Sequence, residues 1–381
     1  MKHWLAILVV ALAAGVGAAP GETSGGACSA PLPQGKAGLP GAVVVTTDCG
    51  RFRLETDGSV TYAGKWKSPV PRVARAYWMD FTWYGVERGH LLVGRGMKRL
   101  WRSHDTYRGG RRGIDVEGIA LGPHGLAFTL ARGRQSILFT ARYGGRERRV
   151  ARGEWPLAFT QSGLVTWRER GKTLLLHKGR SARFLSHAIE PQVDHESGMV
   201  VFRSAGRLFA FDGTRIRDLV SLRGRGVTGP PVVEPLGRMV AAHDRRRLVV
   251  VGYDSRLFAS ATLPRSRHPA DGVSSPVVAN AAGTAVAFSV TSGNRLREAV
   301  YLLAGGKSRA ERLFGEKLAD GGGCGQGAWL SWRGQWLLYA NGAQQAAVLD
   351  SSGQAPPIQL TDVILQLPSK DGEGAFNADW A

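Results

Sequence analysis

The sequence predicts an all-β chain folded as a seven-bladed β-propeller, with six or eight blades as the alternatives. Four observations lead there. A glycine in a tight turn, followed by a short apolar run that often ends on an aromatic residue, recurs seven times: Gly89-His-Leu-Leu-Val, Gly125-Leu-Ala-Phe, Gly163-Leu-Val-Thr-Trp, Gly198-Met-Val-Val-Phe, Gly237-Arg-Met-Val-Ala, Gly283-Thr-Ala-Val-Ala-Phe and Gly334-Gln-Trp-Leu-Leu-Tyr. Successive glycines are 36, 38, 35, 39, 46 and 51 residues apart, the period of four-stranded antiparallel blades. Prolines at 156, 191, 231 and 276 precede four of the turns at a similar offset, and proline is tolerated at the first position of a strand, where no ladder hydrogen bond is needed. Helical periodicity is nearly absent beyond the N-terminal leader, while glycine makes up 52 of 381 residues, as a turn-rich β chain requires.

Each unit then reads in order. A first strand, opened by proline in four of the units, leads into the turn, where the glycine after Asn-Ala-Ala or His-Glu-Ser supplies positive φ, and the run after it is a second strand. A third strand follows in most units, as in Arg207-Leu-Phe-Ala-Phe, Arg247-Leu-Val-Val-Val and Thr173-Leu-Leu-Leu. These runs are apolar almost throughout, which suits strands covered on both faces. The fourth strand is weaker and more polar, as in Arg183-Phe-Leu and Arg215-Ile-Arg-Asp-Leu, the character of a solvent-facing outer strand. Seven units fall at 78–113, 114–153, 154–188, 189–226, 227–268, 269–320 and 321–368.

Ahead of them, residues 1–18 have the basic start, apolar middle and small-residue end of a signal peptide. Residues 19–47 form an extended Gly/Pro-rich segment, 48–368 the propeller, and 369–381 a polar C-terminal tail whose Trp380 is a candidate to dock on a blade. Residues 51–63 read as a hairpin with Asp57-Gly58 at the turn. That hairpin is expected to close the ring by pairing with the last blade near Val348 or Ile358, since closure removes exposed sheet edges.

The Pro-x-φ…Gly-x-φ-φ-Phe units, φ being apolar, resemble the TolB-type, WD-like propeller repeats of bacterial envelope proteins over residues 78–368. The Ser-Pro-Asp-Gly turn of that group is replaced here by His-Glu-Ser-Gly, Asn-Ala-Ala-Gly or Thr-Gln-Ser-Gly, and the Gly-His and Trp-Asp signatures of WD-type propellers are missing. The Cys28-Ser-Ala-Pro-Leu-Pro opening and the Thr46-Thr-Asp-Cys-Gly-Arg-Phe segment also resemble secreted actinobacterial propeller proteins, a likeness that implies no activity.

Export and cysteine usage agree. Cys28 and Cys49 flank the Pro/Gly-rich stretch, and a disulfide between them is the expectation for an extracytoplasmic compartment; Cys324 is left as a free thiol or as an alternative partner. The apolar run of the leader is too short to span a bilayer comfortably, so the mature chain is expected to have no transmembrane span. The formal net charge is +20, or +19 once Lys2 leaves with the leader. Such a charge attracts anionic partners, but the basic residues are dispersed through every repeat. The densest clusters, Arg108–Arg112, Arg146–Arg149 and Arg245–Arg247, read as hairpin turns with few stacking aromatics, which argues against nucleic acid as a partner.

Tests for catalytic or cofactor chemistry return structural readings. Gly224-Arg-Gly-Val-Thr-Gly229 spells a dinucleotide fingerprint, but Pro230-Pro231 forbids the helix that would hold the phosphates. Gly305-Gly-Lys-Ser308 lacks the first glycine of a phosphate loop, since Tyr301 stands there. Asp194-His-Glu196 offers metal or acid–base groups, yet reads as a solvated turn. His90, His104, His177, His187, His243 and His268 are scattered through the units and converge only if the fold brings them to the central channel. Trp66, Trp78, Phe81, Trp83, Tyr84 and Trp101 read as blade-to-blade packing ahead of a stacking platform for a sugar or peptide. The expectation is a secreted, monomeric binding scaffold for a protein or envelope polymer, not an enzyme, with no cofactor and no metal. The alternatives are an extracytoplasmic hydrolase or lyase with a site assembled from several blades, and adhesion to anionic envelope polymers through the basic surface.

Overall fold

A computed structural model describes residues 27–47, 49–65, 74–77, 82–95, 98–107, 115–132, 135–179, 181–194, 197–228, 231–264, 272–273, 275–292, 297–317, 329–341, 346–369 and 377–381. Within them the chain forms eight antiparallel sheets, seven of four strands and one with an additional short strand. The helical elements among the described residues are short: 3-10 turns at Ala27–Ser29 and Arg223–Arg225 and a helix at Thr361–Leu365. The four-stranded antiparallel meander is the blade of a β-propeller, and this all-β class is the one the repeat predicts.

Seven of the sheets, the second to the eighth in chain order, follow the seven sequence units, except that the second sheet already begins at Ala74, ahead of the unit bound at 78. Their first strands lie at Ala74–Tyr77, Asp115–Leu121, Trp155–Thr160, Ile189–Val193, Val232–Pro235, Gly272–Val273 and Trp329–Arg333. The first sheet is additional to the seven units and is the eighth among the described residues. It contains the predicted hairpin, Gly50–Leu54 with Val60–Gly64. Its other two strands, Val43–Thr47 and Asn377–Trp380, come from the segment read as extended and from the tail.

Here the expected pairing is corrected. The N-terminal part does join a C-terminal strand, but not near Val348 or Ile358: Val43 pairs with Trp380 and Val45 with Ala378. Val348 is already bonded on both sides, to Leu338 and Ile358, so its strand has no free edge. The Ile358–Gln359 strand is two residues long and runs straight into the short helix. Trp380 does dock on a blade, its indole N–H donating to the Ser331 carbonyl at 3.0 Å.

The chain divides into two compact units, one of residues 1–66, 264–304 and 310–381 and one of residues 67–263 and 305–309. The second holds the second to sixth sheets, stacked face to face in chain order. Leu91, Val93 and Trp101 meet Leu126, Phe128 and Leu130; Ala127 and Leu138 meet Leu164; Leu174 and Leu176 meet Val200 and Phe202; Val201 and Leu208 meet Val240 and Val249. Because alternate residues of a strand face opposite ways, Val200 and Phe202 serve one neighbour and Val201 the other. That double coverage is why the inner runs carry almost no polar residue. In the other unit the seventh sheet packs on the eighth through Val300, Phe314, Leu337 and Tyr339, and the eighth on the first through Leu338, Val348, Val43 and Phe52.

The turn glycines have a measurable reason at Gly163. Its φ is +140°, and a Cβ there would run into the carbonyl oxygen of His177 on the adjacent strand. The disulfide of the first sheet joins Cys28 to Cys49, with 5.3 Å between their Cα atoms. Cys324 lies outside the described residues.

Candidate functional site

Chemistry concentrates where the first strands of the third, fourth and fifth sheets begin. These strands, Asp115–Leu121, Trp155–Thr160 and Ile189–Val193, stand beside one another within one compact unit. The register of the first slips between Val116 and Gly118, and that of the third between Ile189 and Gln192. A bulge re-aims the side chain it carries, and here it leaves Glu117 and Glu190 exposed. The indole N–H of Trp155 donates to Glu117 Oε2 at 3.2 Å. Trp155 also lies against Trp167, ring centroids 5.5 Å apart. Arg203 holds Glu190 at 2.7 Å.

Beneath this edge lies Glu154, with 1% of its side chain exposed. Oε2 accepts from the Thr166 hydroxyl at 2.7 Å and lies 2.7 Å from His177 Nε2. Oε1 accepts from Arg168 at 2.6 Å. The Glu154 carbonyl accepts from Thr129 on the neighbouring sheet at 2.8 Å. Burial alone would raise the pKa of Glu154, but the hydrogen bonds from His177, Thr166 and Arg168 outweigh it and hold the carboxyl below its ordinary value. Glu154 is therefore an anion at neutral pH whose oxygens are already committed. It can anchor strands, but it has little capacity left to accept a proton from a substrate.

The other buried carboxylates are used in the same way. Glu147 accepts the backbone N–H groups of His104 and Asp105 and the Tyr107 hydroxyl. Glu298 accepts from Ser289 and Tyr339, each at 2.8 Å. Asp350 accepts from Ser352 and from backbone N–H groups of its own turn. The Ser352 hydroxyl leads the contacts that lower its pKa.

The residues singled out from sequence are distributed rather than gathered. Asp194 accepts from Ser197 at 2.7 Å and from Tyr253 at 2.6 Å, which makes it a buried turn anchor and not a solvated one. His195, Glu196, His268, Trp66, Trp78, Phe81 and Arg108–Arg112 lie outside the described residues. His90 Nδ1 lies 2.9 Å from the Ser103 carbonyl, His104 and His187 are exposed, and His243 Nε2 lies 3.7 Å from Glu234. Trp83, Tyr84 and Trp101 are buried and Trp101 packs on Phe128, the packing role. Lys307 and Ser308 sit between two strands. Among the described residues no group of three or more His, Cys, Asp or Glu side chains is arranged to hold a metal ion, and no helix is long and apolar enough to cross a membrane.

Sequence reasoning missed Glu154. Its signal was the pair of polar residues interrupting apolar runs, Thr166 in Leu-Val-Thr-Trp and His177 after Leu-Leu-Leu, positions that demand a buried polar partner.

No protein-family model matches the chain, and no curated protein matches it in sequence. Among solved structures it is similar to Hsv2 of Kluyveromyces lactis (11% identity over 92% of this chain and 98% of that one, TM-score 0.39). It is similar to the WD40 domain of SCAP from fission yeast (10% identity, 84% and 97% covered, TM-score 0.38) and to the WD40 domain of Toxoplasma gondii coronin (10% identity, 64% and 69% covered, TM-score 0.37). At such identities and TM-scores neither a ligand nor a site residue transfers.

Proposed function

We propose that this chain is an exported, monomeric binding scaffold of the TolB-type propeller group, and not an enzyme. Its leader (residues 1–18) is removed on export, residues 48–368 form the propeller, and the Cys28–Cys49 bond suits an oxidising compartment. The observation that carries the reading is the use made of the buried carboxylates: Glu147, Glu154, Asp194 and Glu298 each accept two or more hydrogen bonds from the strands and turns around them. Above one of them stands a rim of partly exposed aromatic and charged groups, Glu117, Trp155, Trp167 and Arg168, already fixed by mutual contacts. Rigid aromatic and arginine side chains are what recognition surfaces use, because little entropy is lost when they are covered.

The test is capture by cross-linking from an envelope fraction, comparing the parent chain with Glu117→Lys and Trp155→Ala. The parent is expected to retain a discrete partner that both variants lose. The same partner on all three proteins would remove this edge from the proposal.

A further inference from the structure

A second feature lies at the opposite edge of the same stack. The last strands of the second and third sheets, Lys98–Thr106 and Arg148–Arg152, flank an open cleft of about 590 Å³, within the range of ligand sites. Its floor is Ile137, Phe139 and Tyr107, and its rim includes His104, Asp105 and Arg149. Register places Arg152 directly opposite Ile137 and Arg149 opposite Phe139, so both cations rise from the side of the strand that faces the cleft.

The acids near this cleft are already occupied. Arg146 pairs with Asp105 at 2.8 Å, and Glu147 is buried and holds the backbone of His104 and Asp105. Arg149 and Arg152 are exposed, and no carboxylate pairs with either among the described residues. Ile137 and Phe139 lie two residues apart on one face, the side-chain repeat of an extended strand. Both flanking strands end their sheets, so each offers an edge along which a chain can lie.

We infer that this cleft docks an extended acidic peptide segment of a partner protein, with apolar side chains on Ile137 and Phe139 and alternate carboxylates on Arg149 and Arg152. The alternation of apolar floor and cationic rim favours a peptide over a polymer of uniform charge, which has nothing to place on the floor. The inference does not depend on the first-strand edge, so failure of the capture experiment leaves it standing.

The test is fluorescence anisotropy of the purified chain with a labelled Glu-Phe-Glu-Leu-Glu peptide, the matching Gln-Phe-Gln-Leu-Gln peptide, and inorganic polyphosphate. The acidic peptide is expected to bind at least tenfold more tightly than its amide counterpart. Arg149→Gln and Arg152→Gln are each expected to weaken it about tenfold, the scale of one charge-assisted contact. Arg183→Gln, which removes one exposed charge from a different sheet, is expected to change affinity less than twofold. Both cleft arginines are exposed, so either variant serves if the other fails to fold. Absence of peptide binding, equal binding of the amide peptide, equal loss in Arg183→Gln, or tighter Arg149-dependent binding of polyphosphate would each overturn the inference.

Discussion

Replacing Glu154 by glutamine tests whether the buried network is structural, and its cost can be worked from the contacts. The amide oxygen can take the place of Oε2 and keep Thr166 and His177, now as neutral hydrogen bonds. A hydrogen bond to a charged group contributes roughly 1.5–3 kcal/mol against about 1 for a neutral one, so these two contacts lose roughly 1–4 kcal/mol. The amide nitrogen then faces Arg168, which is 46% exposed and can turn to water. Screening limits that loss to about 0–1 kcal/mol. The total of about 1–5 kcal/mol centres near 3 kcal/mol, which lowers Tm by roughly 6–12 °C for a cooperative unit of about 200 residues.

The dependence on pH separates this account from a simple packing defect. The folded pKa of Glu154 lies below its ordinary value of 4.5. A depressed carboxyl stabilises fully above its unfolded pKa and loses that contribution as pH falls through the folded one. The gap between parent and Glu154→Gln should therefore be full at pH 6–7 and shrink below about pH 4.5. Thermal melts at pH 7, 5.5, 4 and 3 read it out. A gap that stays constant over this range, or a glutamine variant as stable as the parent at pH 7, would refute the reasoning.

Four further outcomes are expected. Gly163→Ala forces a Cβ against the His177 carbonyl at φ +140° and should lower stability by about 2 kcal/mol or more, read by denaturant midpoint. Cys28→Ser opens a bond between residues 21 apart and should cost about 3 kcal/mol by the chain-entropy relation, with the parent falling to the same midpoint in reductant. Tyr253→Phe removes the hydroxyl donor to buried Asp194 and should cost about 1–3 kcal/mol, with no change in the slope of the unfolding curve. Deleting residues 377–381 strips the strand paired with Val43–Thr47 and should increase binding of a hydrophobic dye and aggregation, because an unprotected edge is a template for further pairing.

What was legible in the sequence was local. A glycine at a turn punctuates each repeat and a proline precedes four of the turns, and seven sheets follow that punctuation. The strand Asn377–Trp380 was not legible, because Asn-Ala-Asp-Trp has no alternating apolar pattern and is held by pairing with Val43–Thr47 at the other end of the chain. The predicted partners Val348 and Ile358 had the right apolar character, but apolar character does not reveal which edges are already bonded. Glu154 illustrates the same limit among side chains. Its position before Trp155-Pro156 looks like solvent-facing loop, and its role arises only when Thr129, Thr166 and His177 arrive from other strands.

The excess of 50 basic over 30 acidic residues acquires a physical distribution from this arrangement. Glu147, Glu154, Asp194, Glu298 and Asp350 are all buried, whereas no lysine or arginine is among the buried residues described. A carboxylate can accept several N–H and O–H donors in a small space, which suits it to strand ends and turns inside a stack. A guanidinium on a long stem keeps its head in water while its methylenes cover apolar surface. Sorting acids inward and cations outward makes the surface more positive than the composition alone implies. A basic surface of that origin would arise with no anionic partner at all, so charge by itself identifies none. What distinguishes Arg149 and Arg152 is position: they rise from the sheet face that carries Ile137 and Phe139, beside an Asp105 already paired with Arg146. Recognition, if it uses the charge, must therefore depend on those two residues more than on equally exposed cations such as Arg183, and that inequality is a property of the fold rather than of the composition.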